Sequence, residues 1–186
     1  SGVGWELSSA RIMGLWALEQ GNPEVAATYF NYAVQADYKQ AQLYQAIALT
    51  EAQQVPDALK AWNSVSNTPE SASQNLATQL LRILTTDAST ATDLDDADKY
   101  QFCRYRIGVN DTILFTKVLQ TFEDPNYKAQ AILDMSQRQF RAERIAAAIR
   151  FYGQVSGLRL TDQKLYDRVR HFELLMLASR NEVQAL

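Results

Sequence analysis

The sequence predicts an all-α fold, a stacked array of about four to five antiparallel helix hairpins. Three observations predict it. Turn formers are scarce: seven Gly and four Pro stand against 25 Ala and 17 Gln in 186 residues, a balance that favours helix. Apolar residues recur at i, i+3, i+4 and i+7 in about ten short segments separated by brief breaks. A small–aromatic–small pattern also repeats, in Ala26, Phe30 and Ala33, in Ala58, Trp62 and Val65, and in Ala148, Tyr152 and Val155. Twelve residues before each leading small residue stands another, Gly14, Ala46 and Ser136, and the first two sets lie 32 residues apart. Small residues at that spacing let two antiparallel helices approach closely, while the aromatic fills the gap toward the next hairpin.

Taken in order, the first helix is expected over Trp5 to Glu19, with Ile12, Leu15, Trp16 and Leu18 around Gly14, and stops at Gly21. Asn22 caps the second, Pro23 takes the first turn where a missing N–H is harmless, and the helix continues to Ala36. Gln54-Val55-Pro56-Asp57 opens a helix carrying Leu59, Trp62 and Val65, and Thr68-Pro69-Glu70 opens another carrying Leu76, Leu80, Leu81 and Leu84. Thr85 to Asp98 is polar and rich in cap formers, which predicts a loop ending at an N-cap near Asp95. Beyond it, helices are expected over Asp96 to Ile107, Asp111 to Phe122, Asn126 to Phe140, Glu143 to Val155 and Thr161 to Arg180.

The length suits one domain over 1–186, with a possible break at 85–98. Charge changes sign there: residues 1–93 carry 4 basic and 9 acidic groups, and 94–186 carry 14 and 12. The overall −3 argues against nucleic acid as a partner. No apolar run, Leu174 to Ala178 included, is long enough to insert in a membrane. The chain begins at Ser1 without Met, basic stretch or apolar leader, so a soluble piece of a longer protein, cytoplasmic or exported to the cell envelope, is expected.

The 12-residue spacing of small residues, the aromatic four further on, Gly21-Asn22 at the helix turn and Asp124-Pro125 at a helix start together resemble the tetratricopeptide repeat family. Gly14 to Ala33 and Lys39 to Ala72 carry the pattern, and Ala129 to Asp162 carries it in part. The family's early Trp is replaced by Ala10, Gln42 and Ile132, and its later Tyr by Ala17, Leu49 and Gln139. The resemblance implies a right-handed superhelical solenoid whose first helices line a concave groove for a protein or peptide partner. Onto that groove it maps Arg11, Leu15 and Glu19, then Leu43, Ile47 and Glu51, then Leu133, Gln137 and Arg141, with Arg138 beside them. The family's Lys/Asn clamp for a terminal carboxylate is absent from these positions.

Chemistry for catalysis is sparse. The single His, His171, stands four residues after Asp167 on one helix face, with no nucleophile near it in sequence. The single Cys, Cys103, sits between Phe102 and Arg104 as a small core residue. One Cys and one His supply neither a disulfide nor a zinc site. Asp95, Asp96 and Asp98 lack the Gly and bidentate Glu of a calcium loop and read as helix caps. Asn110-Asp111-Thr112 is a glycosylation sequon that doubles as a helix start. Arg138, Arg141 and Arg144, with Arg104, Arg106 and Arg150, offer either a solvated face or a surface for an acidic ligand. The expectation is therefore a non-catalytic scaffold with no cofactor and no metal. The alternatives are a small-molecule or enzymatic pocket near 85–98, and a structural spacer.

Overall fold

Helix is the regular structure of this chain, and no strand occurs among the described residues of the computed structural model, 3–35, 41–67 and 71–184. The helices are α1 (Val3–Glu19), α2 (Pro23–Gln35), α3 (Ala41–Glu51), α4 (Val55–Ser66), α5 (Ser71–Thr85), α6 (Asp96–Tyr105), α7 (Thr112–Leu119), α8 (Pro125–Arg141), α9 (Ile145–Tyr152) and α10 (Gln163–Gln184). The chain divides into two compact units, Ser1–Thr86 and Asp87–Leu186. The expected second-helix end at Ala36, the unit start at Lys39 and the Thr68-Pro69-Glu70 opening lie outside the described residues.

In the first unit each helix packs on the next, from α1 through α5. All nine small residues of the repeated pattern are buried, Gly14, Ala46 and Ser136 on the leading helices and the flanking pairs on the helices that follow. At Gly14 a Cβ would lie 2.7 Å from Phe30 Cζ, so only glycine admits the ring there. Phe30, fully buried, also stacks on Tyr44 of α3, with ring centroids 5.5 Å apart. Trp62, also fully buried, donates its indole N–H to Thr50 Oγ1 at 2.8 Å, and that hydroxyl in turn donates to the Ala46 carbonyl.

The hairpin turns repeat as closely as the packing. Gly21, Gln53 and Glu143 all take left-handed backbone, with φ of 72°, 57° and 59°. After each, the next N–H reaches back five residues: Asn22 to Ala17, Gln54 to Leu49 and Arg144 to Gln139, at 2.9, 3.0 and 2.9 Å. These are Schellman closures, which satisfy carbonyls the helix ends would leave orphaned. Each turn residue stands seven after the small residue and nine before the aromatic, so 14–21–30, 46–53–62 and 136–143–152 are one local design used three times. Only the first uses glycine.

The second unit gathers around α8, which packs on α6, α7, α9 and α10. Asp95 caps α6 by accepting the Asp98 N–H at 2.9 Å, and Asp124 caps α8 by accepting that of Asn126, with Pro125 in the first turn. Several expected boundaries shift for local reasons. Glu143 is left-handed and cannot be helical, so α9 starts at Ile145; its expected last residues, 153–155, tighten into a 3-10 turn. The Asp162 carboxylate accepts the N–H groups of Lys164 and Leu165, so α10 starts at Gln163 rather than Thr161. Tyr152 is only half-buried; its ring meets Phe172 of α10 and its hydroxyl donates to the Val169 carbonyl. The neighbouring Phe151 is the buried one, edge-on to Phe115 of α7.

Candidate functional site

In the first unit, each face of α3 has a distinct task. Tyr44 and Gln45 meet α2, the latter donating to Asn31 Oδ1 at 3.0 Å, while Thr50 turns toward Trp62 of α4 and accepts its indole N–H. Leu43, Ile47 and Glu51, spaced four apart, form a third ridge and are half-buried. On α1 the corresponding ridge is Arg11 and Leu15, half-buried, and Glu19, exposed. The structure thus leaves three aliphatic side chains, Leu15, Leu43 and Ile47, partly open to solvent beside acidic and basic neighbours.

The predicted residues of the second unit fare differently. Leu133 is completely buried and is removed from the candidate site, because α8 is enclosed by neighbours on several sides. Arg138 is also committed to structure: its guanidinium donates to the Ile107 carbonyl at 2.7 Å and the Cys103 carbonyl at 3.0 Å. It thereby satisfies groups at the C-terminal end of α6, where a cation also meets the helix dipole. Burial, partly countered by Asp134, pulls this guanidinium below its ordinary pKa. Arg144 donates to Asn110 Oδ1 at 2.6 Å, and Gln139 to the Val109 carbonyl, so α8 and its turn hold the 103–110 segment by side chains. Gln137 remains half-buried and Arg141 exposed.

A further polar cluster on α6, α8 and α10 was not legible in the spacing. Tyr100 donates to Asp134 Oδ2 at 2.8 Å, Arg104 approaches the Tyr100 hydroxyl at 3.3 Å, and Arg168 lies 3.8 Å from Asp134 Oδ1. Burial, with the Asp134 charge, pushes the Tyr100 hydroxyl up to about 12. Burial likewise pushes the Cys103 thiol up to about 12, which leaves it protonated and unreactive at neutral pH. His171 is exposed, and the side chain of Asp167 accepts from Gln163. No group of three His, Cys, Asp or Glu with metal-binding geometry occurs among the described residues.

The acidic run acts as a fastener. Asp96 accepts the N–H groups of Glu123 and Asp124 and the Lys99 ammonium at 3.2 Å. Burial raises its pKa, but the Asp124 N–H, the Lys99 ammonium and the Glu123 N–H outweigh it and hold the carboxyl below its ordinary value.

Two open clefts lie on the described surface. One, of about 510 Å³, lies among α2, α3 and α4, with Glu24, Asn31, Gln45, Asp57 and Lys60 on its walls. The other, of about 540 Å³, lies between α7 and α9, with Thr116, Lys117 and Arg150 on its walls. Residues 85–98 line neither. No described helix is long and apolar enough to cross a membrane. No family model, curated protein or solved structure matches the chain.

Proposed function

We propose that this chain is a non-catalytic scaffold that binds a protein or peptide segment, its hairpins stacked as a right-handed solenoid of the tetratricopeptide type. The observation that supports the reading is the row Leu15, Leu43 and Ile47, half-buried on α1 and α3, while other faces of α3 carry its packing against α2 and α4. Apolar groups left open at equivalent places, bordered by Arg11, Glu19 and Glu51, offer anchors plus a polar rim to a linear partner. In the second unit, Arg141 is by itself an exposed cation suited to an acidic partner.

The test is binding of a partner isolated from the source cells, measured with purified components. Ile47→Asp should weaken it more than tenfold with an unchanged melting temperature, and Arg141→Glu should slow association in a salt-dependent way. Unchanged binding in both variants would remove this surface from the function.

A further inference from the structure

The outer side of α1 is apolar where a free-standing helix would be polar: Ile12 is 59% exposed, Trp16 53% and Met13 39%. Its opposite side is already used, with Ala10, Gly14 and Ala17 buried against the following hairpin helix. The 32-residue offset that relates Gly14 to Ala46 places Ser9, Ile12, Met13 and Trp16 at the positions of Ala41, Tyr44, Gln45 and Ala48. In α3 that row is the seat of α2. Ala41 clusters with Ala33, Tyr44 stacks on Phe30, and Gln45 bonds Asn31, while Ala48 is completely buried. The same row on α1 is bare.

The geometry points to α1 docking an amphipathic helix of the α2 kind, one that brings an aromatic over Ile12, an amide beside Met13 and small residues over Ser9 and Trp16. The occupant is set by what α3 accepts from α2, because the two rows are equivalent and the bare row continues that packing. A second copy of α1 fits poorly: it would oppose Ile12, Met13 and Trp16 with the same bulky groups, whereas the α2–α3 contact places Ala33 against Ala41 beside the stacked rings. Trp16, standing where α3 has Ala48, demands a small residue opposite. The row carries no charge, so the incoming face is uncharged too, and docking depends weakly on salt. This surface is separate from the Leu15, Leu43 and Ile47 row and goes beyond the function proposed from it.

The probe is a peptide with the sequence of residues 22–38, locked as a helix by a lactam bridge between Glu24 and a lysine replacing the exposed Thr28. Calorimetric titration into the full chain should show saturable one-to-one binding. Trp16→Ser and Ile12→Asp should each weaken it more than tenfold without changing the melting curve, and a peptide carrying Phe30→Ser should fail to bind. No binding at up to about 1 mM peptide, or equal binding by both variants, would overturn the proposal. So would loss of folding in Ile12→Asp, which would make this face core. Concentration-dependent dimerisation of the chain alone, abolished by Trp16→Ser, would overturn the choice of occupant.

Discussion

Gly14→Ala tests the interlock of α1, α2 and α3 by the sign of its effect. In an exposed helix interior this change stabilises by about 1 kcal/mol, since Ala is the better helix former. Here the new methyl would lie 2.7, 2.8 and 3.0 Å from three atoms of the Phe30 ring, about 1 Å inside ordinary carbon–carbon contact. The ring has little room to retreat, because it is fully buried and stacked on Tyr44. Overpacking of this kind costs about 2–3 kcal/mol, at the upper end for added methyl groups, and leaves a net loss of about 1–2 kcal/mol after the propensity gain. For a unit of this size that is a melting shift of roughly 5–10 °C. Tryptophan emission during urea unfolding is the assay, since Trp5, Trp16 and Trp62 all lie in the first unit and Trp62 is buried with its N–H bonded. Phe30→Leu in the same chain should make Gly14→Ala much less costly, a coupling of about 1 kcal/mol or more. A stabilised Gly14→Ala variant would refute the packing argument.

The remaining predictions concern turns, charge and the thiol. Gln53→Gly and Glu143→Gly should each stabilise their unit by about 0.5–1 kcal/mol in urea unfolding, because both side chains now sit in left-handed backbone that glycine adopts without strain. Asp96→Ala should destabilise the second unit by about 2–3 kcal/mol at neutral pH, through loss of its ties to Lys99, Glu123 and Asp124. Since the folded pKa lies below the ordinary 3.8, the wild type's advantage is present above that value and disappears as pH falls through the folded pKa, which parallel acid titrations of unfolding would show. Cys103, buried with its thiol pushed up to about 12, should react with a disulfide reagent at neutral pH only as the second unit unfolds. A fast reaction in the native state would place it at the surface.

What the sequence made legible was the part written in local rules. Pro23 and Pro56 near helix starts, Asp95 as a cap and the three small–aromatic–small sets describe helices and close contacts directly, and all nine small residues are buried. The rest depended on contacts distant in sequence. Nothing in the Arg138, Arg141 and Arg144 spacing says that Arg138 reaches the Cys103 and Ile107 carbonyls and Arg144 reaches Asn110, while Arg141 faces water. Leu133 sits on the same nominal row as Leu43, yet α8 has neighbours on more sides than α3, so one is core and the other half-open. Glu143 and Gln53 hid two left-handed turns because only Gly21 carries the usual residue.

The most direct test of the binding account is photocrosslinking from two faces of the first unit, with a benzophenone side chain placed at Leu43 on the aliphatic row or at Lys60 on the polar cleft wall. The account predicts that a partner bound by the chain crosslinks from position 43 and that Ile47→Asp suppresses the product. Crosslinking from position 60 alone would contradict it, and would assign recognition to the cleft among α2, α3 and α4.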